Sequence, residues 1–368
     1  MVISSIVQST LLRHQRVIDS ALRATVDELT TPELAPFYGQ MRYHLGWVDA
    51  QLTPTANNPG KLLRPTLLLL AFEAAGAWEL ANPATDDTSY LQRALPAAVA
   101  IELTHNFTLI HDDIEDGDAE RRHRATLWKL WGVPQAINTG DGMFALARLA
   151  LWKVVEQGVD ATIAVRLGEA LDSASLVLAE GQYLDISFET RLDIFVAMYL
   201  NMIERKTGAL MSCAAEMGAR LGTRNQETIA RLRDFGKAMG IAFQIRDDLL
   251  GVWATTAELG KTPAGDIYRR KKSLPVLHAL EHAGERDQQL LCTIYQQTAP
   301  VAPEQVEQVL AIFERTQTKT YCREFLAQYC RQAHKALAGV PHHSSPVAAR
   351  ALEDMKTLVH FVEAETRE

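Results

Sequence analysis

Four carboxylates fall within five residues at Asp112-Asp113-Ile114-Glu115-Asp116, behind an apolar run and ahead of Arg121, Arg122 and Arg124. On a helix, Asp112 and Asp116 stand one turn apart and project from one face. Like charges stacked in this way repel, so the pair costs stability unless a cation lies between them. Hard carboxylate oxygens with no cysteine nearby suit Mg2+ or a close relative. A second pair, Asp247-Asp248, follows another apolar run from Met239 to Ile245. It is trailed by Asp266, Arg269, Arg270, Lys271 and Lys272. Each acidic cluster therefore has a basic one behind it, and metal with Lys or Arg is how a protein holds a diphosphate. A solvated helix end is the plain alternative for such a run. Against it, His105, Leu109, Asp112 and Asp116 share one face, and the calcium-loop template fails because Ile114 and His123 occupy ligand positions.

Two further cations precede the first cluster in Gly60-Lys61-Leu62-Leu63-Arg64-Pro65. A nucleotide-binding glycine loop is excluded, since Leu62 replaces the hydroxyl residue and the glycine spacing is wrong. Cations are disfavoured at a helix start, so Lys61 and Arg64 together there imply an anion nearby. Lys206-Thr207 lies within a helical pattern and would be unremarkable alone.

Taken in order, GKLLRP, HDDIED, RKTG and RDDLL resemble the trans-isoprenyl diphosphate synthases over residues 40–285. The resemblance implies a single all-α domain across 1–368, a bundle of long helices around a central cavity. It implies that Asp112 and Asp116 bind Mg2+ bridging an allylic diphosphate, and that Asp247 and Asp266 bind the third of three such ions. Arg121, Lys206 and Lys261 would hold the allylic diphosphate, and Lys61, Arg64, His105 and Arg122 that of isopentenyl diphosphate. Lys271 would close over the site, whereas Lys272 reads equally well as a solvated charge. Thr207 would lie near the forming carbocation, with Gln244 beside the second acidic motif and Gln182 and Asp185 lining the cavity. One departure stands out: Gly251 takes the place of the third aspartate of the usual second motif, which predicts a third metal site that persists in weakened form.

Phe107 lies five residues before Asp112, about 7.5 Å down the helix axis, and Thr108 one turn below on the acid face. Core packing is the plain reading of Phe107. An aromatic here, without the two-residue insertion of bacterial farnesyl synthases, resembles enzymes making geranylgeranyl diphosphate (C20), with farnesyl diphosphate (C15) the next candidate. A terpene cyclase would not need Lys61, Arg64 and Arg122 for a second diphosphate. A non-catalytic partner subunit would fit Gly251 but not the retained acids and cations. The resemblance also implies a homodimer.

The 368 residues are 47% hydrophobic and 22% charged, a globular balance. A net charge of −8 argues against a nucleic-acid binder. Cys213, Cys292, Cys322 and Cys330 lack metal-ligand spacing and read as free thiols of a reducing cytoplasm. Arg13, His14 and Arg16 interrupt the apolar start, and nothing approaches a membrane span, so no stable membrane insertion is expected. Helical spacing predicts helices over 5–30, from Thr31-Pro32 to 48, 61–77, 90–116, 143–157, 161–188, 194–221 and 227–252. Val133-Pro134 and Asn138-Thr139-Gly140-Asp141-Gly142 bracket a short separate element.

Overall fold

The computed structural model describes residues 5–55, 60–77, 89–254, 264–341 and 345–364. Lys261 and the loop expected at 81–88 lie outside the described residues. Helix dominates throughout: α1 (Ser5–Glu28), α2 (Ala35–His44), α3 (Leu63–Ala74), α4 (Leu95–Glu115), α5 (Leu127–Trp131), α6 (Val133–Trp152), α7 (Ala161–Phe188), α8 (Val196–Ile203), α9 (Ala209–Gly222) and α10 (Gln226–Trp253). Then follow α11 (Gly265–Tyr268), α12 (Leu274–His282), α13 (Glu285–Gln296), α14 (Pro303–Arg315), α15 (Thr318–Ala338) and α16 (Pro346–Ala364). A two-residue hairpin, β1 (Glu120–Arg121) and β2 (Arg124–Ala125), is the sheet among the described residues.

The centre is built from helices apolar on nearly every side. Every residue of α3 from Pro65 to Ala74 is buried, as is α4 from Ala97 to Thr104. A helix apolar all round belongs in a core; α9 packs against α3 and α4, and α10 packs against α9. The close approach depends on glycine: a Cβ on Gly236 of α10 would lie 2.5 Å from the Met211 carbonyl oxygen and 2.9 Å from Ala215 Cβ on α9. Backbone cannot swing aside as a side chain can, so the helices would have to part. Gly236→Ala is expected to destabilise by about 1–3 kcal/mol net of its helix-propensity gain. A thermal midpoint equal to or above that of the wild type would contradict this packing.

The C-terminal helices close the bundle onto the same core. Glu73 of α3 is fully buried and accepts from Arg13 Nη2 (2.5 Å) and Tyr90 Oη (2.7 Å). Arg13 also pairs with Asp354 of α16 at 3.1 Å. A buried carboxylate needs such partners, and here they fasten α1, α3 and α16 together.

Several element boundaries differ from the sequence expectation. α2 starts at Ala35 rather than Thr31-Pro32, and Tyr90 to Arg93 form a 3-10 turn before α4. α6 runs unbroken through Asn138–Gly142, because Gly142 lets Phe37 pack against the helix, a Cβ there meeting its ring at 2.5 Å. The helix expected over 194–221 contains a π turn, Glu204–Gly208, between α8 and α9. No described helix is long and apolar enough to cross a membrane.

Candidate active site

The C-terminal end of α4 brings Asp112 and Asp116 to one wall. Lys206, carried on the π turn, reaches across with Nζ 3.1 Å from Asp112 Oδ1 and 2.5 Å from Asp185 Oδ2 on α7. π turns are rare and recur at functional sites. Here the turn aims Lys206 and Thr207 at the acids while Gly181 of α7 leaves room for the backbone at Lys206. Burial alone would lower the Lys206 ammonium's pKa, but Asp185 and Asp112 more than offset it, and the net shift is upward. Asp116 is pushed up to about 6 by burial and by the Asp112 charge beside it. Gln182 donates to Glu115 at 2.7 Å, holding α7 against the end of α4.

The hairpin supplies the arginines. Arg122 and His123 form its turn with positive φ of 53° and 60°, a conformation costly for side chains and enriched at functional sites. Arg124 locks its base, donating to the Tyr43 and Val48 carbonyls (3.0 and 2.7 Å) with its guanidinium 3.9 Å above the Tyr43 ring. Arg121 then pairs with Asp113 at 2.6 Å and Asp112 at 3.4 Å. Arg122 folds over Gly60, where a Cβ would sit 2.8 Å from its Nη2.

Beyond that turn lies a basic pocket. Arg64 Nη1 is 3.0 Å from His105 Nε2, a hydrogen bond the ring accepts when neutral. Burial first, then the charges of Arg64, Arg122 and Arg121, hold His105 well below its ordinary range, so it is neutral. Lys61 is 5.8 Å from the centroids of the Phe243 and Phe361 rings. Glu102, buried in α4, accepts from Asn106 at 2.8 Å and lies within the fields of Arg64 and Arg122. A hollow of about 710 Å3 opens beside Gly60, Asp113, Arg121 and Arg122. Another, about 1210 Å3, lies between α7, α9 and α10 on the outer side of the π turn and includes none of the expected site residues.

On the opposite wall, α10 presents Asp247 half exposed and Asp248 buried. Although half exposed, the Asp247 carboxyl is desolvated by the protein surrounding it and, with the Asp248 charge adding to this, is pushed up to about 6. Gly251 lies one turn beyond Asp247, and a Cβ there would collide with the Asp266 carboxylate. Asp266, held by Arg269 at 3.0 Å, thus puts its carboxylate where a side chain at 251 would begin. The pair Asp247–Asp266 thereby reproduces the one-turn spacing of Asp112 and Asp116. Glycine at 251 is the complement of Asp266, whose carboxylate occupies the space a side chain there would need.

Asp248 is a hub. It accepts from Tyr199 Oη, from Gln244 Nε2 (3.2 Å) and from the Leu274 amide (3.2 Å), with Lys271 Nζ 3.7 Å away. Gln244 in turn accepts from Thr207 at 3.2 Å. The structure thus joins Thr207, Gln244 and Lys271 through a carboxylate that the sequence offered only as half of a pair. Tyr199 carried no signal at all, being one aromatic in an apolar helix. Lys272 is not a solvated charge: it donates to the Phe188 and Glu189 carbonyls (2.9 and 2.5 Å) and caps α7.

Among the described residues no three acids, histidines or cysteines converge closely enough to enclose a metal by themselves. Two facing pairs of hard oxygen donors remain, and that donor set fits Mg2+, which is held by one or two carboxylates with phosphate oxygens and water completing its shell.

Phe107 is half-buried, about 7.5 Å down the α4 axis from Asp112 and turned about 140° round it, with its ring at the α4–α6 seam. Its ring meets Phe144 edge-on, with centroids 5.0 Å apart. Thr108 stays nearer the acid face and bonds the His105 carbonyl at 2.7 Å.

An all-α bundle with two facing acidic walls, each flanked by cations, defines a diphosphate-handling enzyme. The polyprenyl synthetase family model matches residues 46–313, and the chain belongs to that family of prenyltransferases. It is 39% identical to the (2E,6E)-farnesyl diphosphate synthase of Mycobacterium tuberculosis over 287 residues, 78% of this chain and 74% of that one. To the same organism's geranylgeranyl diphosphate synthase it is 37% identical over 270 residues, 73% of this chain and 72% of that one. The fold matches a polyprenyl synthetase from Streptomyces coelicolor A3(2) with TM-score 0.83 at 36% identity, covering 97% and 99% of the two chains.

Proposed function

We propose that this chain condenses isopentenyl diphosphate head to tail with an allylic diphosphate, yielding geranylgeranyl diphosphate and diphosphate. The observation that carries the reading is Lys206 bridging Asp112 and Asp185 across from the Asp247–Asp266 pair. Mg2+, three ions in this reading, would be held by Asp112, Asp116, Asp247 and Asp266 and would stabilise charge on the departing diphosphate. Arg121, Lys206 and Lys261 bind the allylic diphosphate, with charges placed in advance where negative charge develops. Lys61, Arg64, His105 and Arg122 hold the isopentenyl diphosphate, leaving its double bond to attack the allylic cation formed when the carbon–oxygen bond has broken and diphosphate has left. Thr207, fixed by Gln244, faces the developing cation, and Lys271 closes over the second wall. Loss of a proton to the released diphosphate completes the longer product. Apolar surroundings keep water from quenching the cation.

C20 as product rests on Phe107 as the limit to elongation, with Thr108 leaving space on the acid face. C15 is the second reading, favoured by the 39% identity to a farnesyl diphosphate synthase. The working form is a homodimer of one-domain chains, supported by the apolar residues that α6 and α7 leave exposed, among them Ile137, Trp152, Val165, Leu176 and Tyr183. Light scattering should give twice the chain mass; a monomer would refute that part. A cytoplasmic setting agrees with four unpaired cysteines, three of them buried. The two-substrate reading is tested with Lys61→Gln. Loss of a charged hydrogen bond to the anion should raise KM for isopentenyl diphosphate about 10- to 100-fold and leave that of the allylic substrate unchanged. Equal effects on both constants, or none, would count against a separate isopentenyl site.

A further inference from the structure

The seam that Phe107 closes is held by residues to which no role has yet been given. Arg148 of α6 lies flat on the Phe144 ring, its Cζ 3.4 Å from the centroid. Its nitrogens are spoken for on α7: Nε donates to Asp172 at 3.0 Å and Nη2 to Ser175 at 2.8 Å. A third bond, Nη1 to the Phe144 carbonyl at 3.3 Å, returns to its own helix. The guanidinium is therefore fixed in plane and position, with only 15% of its side chain exposed. Phe144, 38% exposed on the outer side of α6, lies between this plane and the edge of Phe107, and Phe107 also meets the His111 ring at 5.8 Å. Four side chains in series thus connect α4 to α7 through α6.

Height along the bundle places this series at the depth where a growing chain would arrive. Gln182 of α7 bonds Glu115 of α4, so the two helices are in register there. Ser175 and Asp172 lie seven and ten residues before Gln182, and Phe107 eight before Glu115, about 10–15 Å below that bond in each case. An aromatic ring alone on a helix can change rotamer to admit another isoprene unit. One clasped from behind by a guanidinium with fixed donors cannot do so without breaking those bonds.

We infer that Phe144 and Arg148 determine product length together with Phe107, Arg148 acting as a positioning residue that keeps the Phe107–Phe144 pair closed across the α4–α6 seam. This rests on the synthase reading above. The stack of a planar cation on an aromatic face supplies stiffness that a lysine would not, because lysine lacks both the plane and the fork.

The test is product sizing after dephosphorylation for wild type, Phe107→Ala, Phe144→Ala, Arg148→Ala, Arg148→Lys and Asp172→Asn, each supplied with isopentenyl and farnesyl diphosphates. Pocket discrimination of one small apolar group spans roughly tenfold or more, so the share of products beyond C20 should rise at least that much in Phe144→Ala and Arg148→Ala. Arg148→Lys and Asp172→Asn should fall between these and wild type, with total isopentenyl incorporation held near the wild-type level. Asp172 is largely exposed, so its variant reports on the clasp even if Arg148→Ala does not fold. Lengthening in Phe107→Ala with wild-type distributions in Phe144→Ala and Asp172→Asn would overturn the brace and leave the synthase reading intact. No incorporation by the wild type would overturn the synthase reading and this inference with it.

Discussion

Asp112→Asn is expected to lower turnover by about 10²- to 10³-fold, the scale of losing one preorganised electrostatic group at a reacting diphosphate. Asp112 carries two loads at once. It offers carboxylate oxygen to a divalent ion on the wall it shares with Asp116, and it fixes Lys206 at 3.1 Å and Arg121 at 3.4 Å. Asparagine keeps the shape and the hydrogen-bonding reach but not the charge. Lys206 would retain Asp185 and Arg121 would retain Asp113, so the fold should survive and the loss should appear in turnover. Steady-state kinetics with saturating substrates, and a melting curve beside them, measure both. Turnover within threefold of the wild type would remove Asp112 from the chemistry.

Gly251→Asp should also be damaging, although it would restore the aspartate usual in this family. The new Cβ would occupy the space of the Asp266 carboxylate, and Asp266 would have to leave its place beside Asp247. A displacement near 1 Å in a catalytic array costs on the order of 10²-fold, which is the loss expected in kcat/KM. The double variant Gly251→Asp with Asp266→Ala removes the collision and should recover part of it, because the new carboxylate then stands one turn from Asp247. Higher activity in the single variant would show that Asp266 is dispensable and that this wall lacks its second acid.

These two positions also mark where the sequence was legible and where it was not. The acidic clusters and the helices bearing them could be read because spacing along one helix fixes which side chains share a face. Gly251 read as a defect, since its partner Asp266 stands fifteen residues further along, at a separation that no helical period encodes. Arg122 and His123 take left-handed backbone without glycine or asparagine, so the hairpin that aims Arg121 left no turn signature. Asn138–Gly142 read as a break by composition, yet the helix continues, because the glycines face close neighbours and packing outweighs propensity. The π turn bearing Lys206 and Thr207 is likewise set by neighbours, α7 and α10, rather than by its own residues. Tyr199 and the hub it forms with Asp248 depend wholly on which helices meet.

The most direct test of the central claim uses purified protein with labelled isopentenyl diphosphate and, in turn, dimethylallyl, geranyl and farnesyl diphosphates, with and without Mg2+. Products are sized as alcohols after dephosphorylation. Incorporation should disappear on chelation and return with Mg2+, ending mainly at C20. Absence of isopentenyl incorporation from every primer in the presence of Mg2+ would contradict that claim.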